Sequence, residues 1–230
     1  KYSYNKNALT EGEGWLPIGN ASTKFTGIFN GNNYTISSLY IKKPTMDYVG
    51  LFGYINTSSS KVENLGLENV QVEGKEFTGG LMGYSENGVI NNVYVTGKIK
   101  GTIYVGGLIG KILYGSINNT YSKGEVSGAH NVGGLAGYND RGVINNSYSA
   151  AKVSGTNRIA GLVGALYNSG AINNSFAVGE VTATSTEAGG LVAYASISSA
   201  ITSNSYISST QQVTVSGTPY SRGTPTASSN

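Results

Sequence analysis

Short apolar blocks closed by Gly, Asn or Ser recur along this chain with a fixed period. A Gly-Leu block returns as Gly50-Leu51-Phe52-Gly53-Tyr54, Gly79-Gly80-Leu81-Met82-Gly83-Tyr84, Gly106-Gly107-Leu108-Ile109-Gly110, Gly133-Gly134-Leu135-Ala136-Gly137-Tyr138, Ala160-Gly161-Leu162-Val163-Gly164 and Gly189-Gly190-Leu191-Val192-Ala193-Tyr194. Its leucines are spaced by 30, 27, 27, 27 and 29 residues. A second block follows each time, as in Ile90-Asn91-Asn92-Val93-Tyr94, Ile117-Asn118-Asn119-Thr120-Tyr121, Ile144-Asn145-Asn146-Ser147-Tyr148 and Ile172-Asn173-Asn174-Ser175-Phe176. A third closes the period with Lys98-Ile99-Lys100, Glu125-Val126-Ser127, Lys152-Val153-Ser154 and Glu180-Val181-Thr182.

Apolar blocks of this length, bounded by turn residues, read as three short strands per repeat. No segment holds a helical period, and each Gly would cost a helix about 1 kcal/mol relative to Ala. A three-strand unit cannot bury its own apolar face, but stacking units about 4.8 Å apart pairs every strand with its counterparts above and below. The pattern therefore predicts an all-β chain, a parallel β-helix of about seven coils with three short strands per coil of about 27 residues. Its hand is right-handed by the default for parallel crossovers.

Several details agree. No proline lies between Asp47 and Gly217, as strands paired on both sides require. Alternation in the third block points Val72, Ile99, Val126, Val153 and Val181 inward. Lys98, Glu125, Lys152 and Glu180 then face water as a column of alternating charge. Asn92, Asn119, Asn146 and Asn174 stack at a turn, where Asn tolerates the left-handed conformation and amides can bond along the axis. Six Asn-X-Ser/Thr sequons, at Asn20, Asn33, Asn56, Asn118, Asn145 and Asn173, read as by-products of the Asn/Ser-rich repeat, because glycans at one repeat position would collide.

Composition narrows the function. The chain has 230 residues, with 34 Gly and 17 Tyr but no Cys, so disulfides, thiolate metal sites and Cys nucleophiles are excluded. Its 15 Lys plus Arg against 12 Asp plus Glu are scattered, which counts against nucleic acid as a partner. No apolar run approaches the roughly 18–20 residues of a membrane span, so no membrane insertion is expected. The start at Lys1 reads as that of a piece excised from something longer.

The blocks G-G-L-x-G-Y, G-x-I-N-N-x-Y and G-x-V-x-G resemble the GLUG-motif repeats of bacterial cell-surface proteins. The lead Trp15-Leu16-Pro17-Ile18-Gly19, Phe25-Thr26-Gly27-Ile28-Phe29-Asn30-Gly31-Asn32-Asn33-Tyr34-Thr35-Ile36 and Leu39-Tyr40-Ile41 is similar to the segment that opens such arrays. The resemblance covers approximately residues 15–215. It implies a β-helical fold, secretion and display at the bacterial cell surface, in adhesins or beside zinc-dependent IgA proteases. It transfers no catalytic residue.

Candidate chemistry is sparse. The single histidine, His130, falls in a turn and has no His-Glu-x-x-His partner, so no metal or other cofactor is expected. The aspartates, Asp47 and Asp140, are about three coils or ~14 Å apart along the axis, too far to share a site. Asp140-Arg141 reads as a turn, and Glu125 and Glu180 as members of the charge column. The aromatic positions carry the functional expectation. Tyr94, Tyr121, Tyr148, Phe176 and Tyr206 form one column. Tyr54, Tyr84, Tyr138 and Tyr194 form another that also admits Lys111 and Ala165, and acceptance of Lys marks it as a half-exposed stripe suited to saccharide or protein contact.

The expected organisation is an N-terminal cap or preceding segment at 1–14, a β-helix with the repeats at 15–217 and a Ser/Thr/Pro linker or C-terminal segment at 218–230. The expected function is a non-catalytic adhesion module that recognises an extracellular polysaccharide, or a glycan or protein of a host or neighbouring cell, through a lateral face. The alternatives are a structural spacer or end-to-end self-associating filament unit, and a carbohydrate-active β-helix enzyme.

Overall fold

The computed structural model describes residues 12–185, 187–202 and 204–220. Among them there is no helix. Six strands, Phe52–Ile55, Met82–Glu86, Ile109–Leu113, Ala136–Asp140, Val163–Tyr167 and Val192–Ala195, form one wall, and the remaining strands pair into a single eighteen-stranded sheet that wraps the rest of each coil. The chain is a parallel β-solenoid of about six turns, close to the seven expected. Equivalent repeat residues sit directly above one another, for example Ile117 with Ile90 and Ile144, and Val126 with Ile99 and Val153.

The strands are longer than the sequence blocks suggest. Lys61–Glu73, Val89–Lys100, Tyr121–Gly133 and Tyr148–Ala160 run through corners that were expected to break them. Between Tyr94–Lys100 and Tyr121–Ser127, and between Tyr121–Gly128 and Tyr148–Gly155, equivalent residues bend together and the ladder turns the corner intact, whereas Lys61–Glu73 shifts register between Leu67 and Val70. At Gly97 and Gly124 the bend takes φ of +143° and +111°, which L side chains rarely adopt.

The interior is built of columns. Leu81, Leu108, Leu135, Leu162 and Leu191 are all buried, as are Val72, Ile99, Val126, Val153 and Val181. The glycine before each leucine reflects close approach between coils. A Cβ on Gly107 would lie 2.1 Å from the Gly134 carbonyl oxygen, and one on Gly134 would lie 2.1 Å from that of Gly161.

Asparagines form two neighbouring ladders rather than one. In the expected column, Asn92, Asn119, Asn146 and Asn174 all have positive φ, and Asn174 Nδ2 donates to Asn146 Oδ1 at 3.3 Å. The adjacent column is better ordered. Asn118 donates to Asn91 at 2.8 Å, Asn145 to Asn118 at 2.8 Å and Asn173 to Asn145 at 2.9 Å. Three of the six sequon asparagines are thus committed to this partly buried ladder.

Both described ends are covered. Gly14 bridges antiparallel to Ile41, while Ile18 and Phe25 bridge parallel to Phe52 and Ile55 over the first coil. Of the segment expected as a cap, residues 1–11 lie outside the described residues. At the other end Val213–Val215 pairs antiparallel with Thr218–Pro219 through Ser216 and Gly217, both with positive φ. Thr218–Pro219, at the start of the expected linker or C-terminal segment, thus pair with the strand before them. The turn-forming pair Ser216-Gly217 folds the chain back onto the last strand, so ordered pairing continues past 217, while 221–230 lie outside the described residues.

Candidate functional site

The outer side of the six-stranded wall carries the row Tyr54, Tyr84, Lys111, Tyr138, Ala165 and Tyr194, each in register with the next. Tyr138 and Tyr194 are half-buried, as a half-exposed stripe requires. Tyr54 and Tyr84 are not, at 8% and 9% exposure, which corrects the expectation for these two. The reason is a second row that leans over them.

That second row is Tyr48, Phe77, Tyr104, Asn131 and Arg158, at the bend preceding each Gly-Leu block. All five are left-handed, with φ of 61°, 52°, 56°, 51° and 56°. Tyr48 stacks on Phe77 at 4.9 Å between ring centroids and Phe77 on Tyr104 at 5.0 Å. Tyr48 also stacks on Tyr54 at 5.3 Å and Phe77 on Tyr84 at 5.7 Å. Bulky residues are rare outliers at positive φ, and such strain concentrates at functional sites. Sequence reasoning missed this row. The available signal was a large side chain two places before Gly50, Gly79 and Gly106.

Together the rows make a continuous aromatic face. Its last portion is filled by Tyr167, whose ring lies 5.0 Å from Tyr138 and 4.8 Å from Tyr194. Two cations are set among the rings. Lys111 Nζ is 5.2 Å from the Tyr84 centroid and 5.3 Å from that of Tyr138. Burial lowers the Lys111 pKa, against the pull of Asp140 and Glu86. The Arg158 guanidinium lies 4.5 Å from the Tyr194 centroid, and it donates to Glu187 Oε2 and to the Tyr167 hydroxyl, both at 3.0 Å. Tyr54 donates to Glu86 Oε2 at 2.7 Å, and Asn56 donates to the same oxygen. Burial pushes the Tyr84 and Tyr138 phenols up to about 12 and raises Tyr54 as well. The face thus combines aromatic rings with two basic side chains in cation–π range and with the carboxylates of Glu86 and Glu187 at its edge.

The other aromatic column is a single row, and none of its residues has positive φ. Tyr94, Tyr121, Tyr148, Phe176 and Tyr206 stack with centroids 5.0, 4.9, 4.9 and 5.3 Å apart and planes within 10° of parallel. Each ring covers the face of the next, so edges and hydroxyls are left for solvent. This column stabilises the stack.

The remaining candidates are dispersed. His130 is exposed within a strand rather than a turn, paired in register with Ile103 and Asn157. Asp47 accepts the Glu76 N–H at 3.2 Å and lies 3.9 Å from Lys75. Asp140 accepts from Asn168 Nδ2 at 3.0 Å and lies 3.5 Å from Arg141. The charge column resolves into two pairs, Lys98 with Glu125 at 3.1 Å and Lys152 with Glu180 at 3.5 Å. Among the described residues no group of three potential metal ligands converges.

Comparison with known proteins bears on the repeat. Residues 128–154 match the GLUG motif, as the block resemblance implied. A segment amounting to 36% of the chain is 40% identical over 86 residues to a protein of Evansella cellulosilytica provisionally named a Gly-rich membrane protein. Another, 41% of the chain, is 38% identical over 97 residues to halomucin of Haloquadratum walsbyi. These matches span 10% and 1% of the lengths of those relatives. A crystal structure from Bacteroides ovatus, provisionally described as an immunoglobulin A1 protease, superposes with a TM-score of 0.77 at 22% identity, covering 91% of this chain and 68% of that one. At that identity the likeness is one of fold.

Proposed function

We propose that this chain is a non-catalytic module of a protein displayed at the cell surface, and that it holds an extracellular polysaccharide against the two-row aromatic face. The observation that carries this reading is the left-handed row of Tyr48, Phe77 and Tyr104, which keeps strained backbone in three successive coils and widens the aromatic stripe with a second stacked row, whose ring edges and hydroxyls face outward. Rings offer apolar area at low entropy cost, and the interleaved hydroxyls, Lys111 and Arg158 offer polar contacts, a combination suited to sugar rings. Repetition suits weak contacts to a polymer, because each coil adds little and the sum gains through effective concentration. The names of the two sequence relatives, a membrane protein and a mucin-like name, fit surface display. The non-catalytic part of the reading is supported by the carboxylates. Glu13, Asp47, Glu73, Glu125, Asp140, Glu180 and Glu187 are each within ion-pair distance of a lysine or arginine, and all but Asp140, whose partner is the adjacent Arg141, pair across coils.

Tyr104→Ser combined with Tyr138→Ser tests the reading on half-buried rings, read by glycan array and by retention on polysaccharide-coated beads. Binding should be lost with the β-rich circular dichroism spectrum unchanged, while Tyr34→Ser, on an exposed ring elsewhere, should bind as the parent does. Full binding by the double variant would overturn the proposal in favour of a spacer. Loss of binding to immobilised protein but not to glycan would identify a protein partner instead.

A further inference from the structure

The flat side of the solenoid formed by the third block carries a second feature, remote in the repeat from the aromatic face. Three successive coils contribute Tyr40-Ile41-Lys42, Gln71-Val72-Glu73 and Lys98-Ile99-Lys100 in register. Ile41 and Val72 point into the core. Their neighbours stand outward as two parallel walls, Tyr40, Gln71 and Lys98 on one side and Lys42, Glu73 and Lys100 on the other. Between the walls lies a cleft of about 280 Å³.

Its charge is unbalanced. Three lysines face one carboxylate, Glu73, which Lys100 already engages at 2.8 Å. Lys98 is held at 3.1 Å by Glu125 of the next coil, but both partners are more than half exposed, and such a surface pair is easily redirected. Among the described residues Lys42 has no carboxylate within ion-pair distance. Over the next three coils the equivalent cleft is lined by Glu125, Lys152 and Glu180 with Ser127, Ser154 and Thr182, so the sign of the charge balance reverses. The contrast sets the first cleft apart from a generic gap between side-chain columns.

We propose that this cleft binds the carboxylate-bearing residue of an acidic polysaccharide, a uronate. Lys42 and Lys98 reach the carboxylate from opposite walls, Gln71 offers an amide to ring hydroxyls, and Tyr40 closes the end of the cleft as an aromatic wall. Paired ammoniums provide charge-assisted hydrogen bonds, the strong kind, and select against neutral sugars. The equivalent cleft over the next three coils, with two carboxylates to one lysine, disfavours a second uronate, so an acidic chain is held at the first cleft.

Affinity electrophoresis and calorimetry with oligogalacturonate, using a neutral galactan oligosaccharide as control, test the proposal on the full chain. The parent should bind oligogalacturonate in low salt, weaken as salt rises and ignore the neutral oligosaccharide. Lys42→Gln and Lys98→Gln should each weaken binding by about tenfold. Lys61→Gln, which removes the same charge from another exposed site, should have little effect. Equal losses from all three variants would show bulk electrostatics only and overturn the assignment, as would binding of the neutral oligosaccharide with equal affinity or no binding at all. The Tyr104→Ser, Tyr138→Ser double variant should retain oligogalacturonate, so the two proposals fail independently.

Discussion

Tyr167 fills the place that Ala165 leaves empty. Ala165 stands in register between Tyr138 and Tyr194, and the ring of Tyr167, two residues on in the same strand, swings into the gap and stacks on both. The row thus keeps its aromatic continuity from a neighbouring position, with Arg158 donating to the Tyr167 hydroxyl at 3.0 Å.

Tyr167→Ala should therefore cost about 1–3 kcal/mol, less than a fully buried aromatic because the ring is half-exposed. Ala165→Tyr in that background should recover much of the loss by restoring the row directly. In the parent, Ala165→Tyr should destabilise, since two rings would compete for one space. Urea denaturation of the four proteins gives the coupling as a double-mutant cycle, and additive effects would contradict the substitution of one ring for the other.

The inner asparagine ladder makes a prediction of its own. Asn145 donates to Asn118 and accepts from Asn173, so Asn145→Asp keeps the acceptor and loses the donor, leaving two oxygens face to face. A loss of about 1–3 kcal/mol is expected at neutral pH. Repulsion raises the pKa of the new carboxyl in the folded state, so stability should recover as pH falls and the carboxyl becomes a donor again. Thermal melts at pH 7 and pH 4, corrected by the parent, check this. Asn146→Asp, in the exposed outer column, should lose less.

The fold was legible because a repeat of 27 residues repeats its reasons as well. Leu135 and Val126 are inward in every coil for the same stacking geometry, and Asn146 takes positive φ where its equivalents do. Corners such as Gly124 were not readable as continuous strand, since turn residues in one coil look like breaks until the neighbouring coil is known to bend alike. The candidate face was half legible. Tyr138 and Tyr194 lie half-buried, as acceptance of Lys111 at their repeat position implies, but burial of Tyr54 and Tyr84 depends on Tyr48 and Phe77 arching over from the preceding bend. That requires left-handed backbone at bulky residues, which no propensity would suggest.

The charge column should behave as two exposed pairs. Glu125→Lys removes the partner of Lys98 and places three positive charges in successive coils beside Lys152. Exposed pairs are worth about 0–1 kcal/mol, so the loss should be of that order and should shrink in 0.5 M salt as screening shortens the range of the repulsion. A salt-independent loss would mean that Glu125 supports the fold by other contacts. Lys98→Glu in the Glu125→Lys background exchanges the members of that pair and leaves Lys152 with Glu180, so it should relieve part of the defect.

The final prediction concerns alkaline pH. Burial raises the phenols of Tyr84 and Tyr138 from 10.0 to about 12, and Tyr54 is raised too. An unfolded chain ionises these tyrosines near their ordinary value, whereas the folded chain holds them neutral. Between pH 10 and pH 12 the folded state therefore binds more protons than the unfolded state, and stability falls with rising pH. The contribution is fully present below pH 10 and is lost as pH climbs through the folded values. Melting temperature should be flat from pH 7 to pH 9 and drop steeply above pH 10. Ultraviolet titration of the folded protein should show a group of phenols ionising late, together with loss of the β-rich spectrum. Tyr138→Phe removes one such group at nearly constant shape, so it should flatten the drop. A wild-type protein whose tyrosines all titrate near 10 with the spectrum intact would mean that the aromatic face is open to water and its rings are not packed as described.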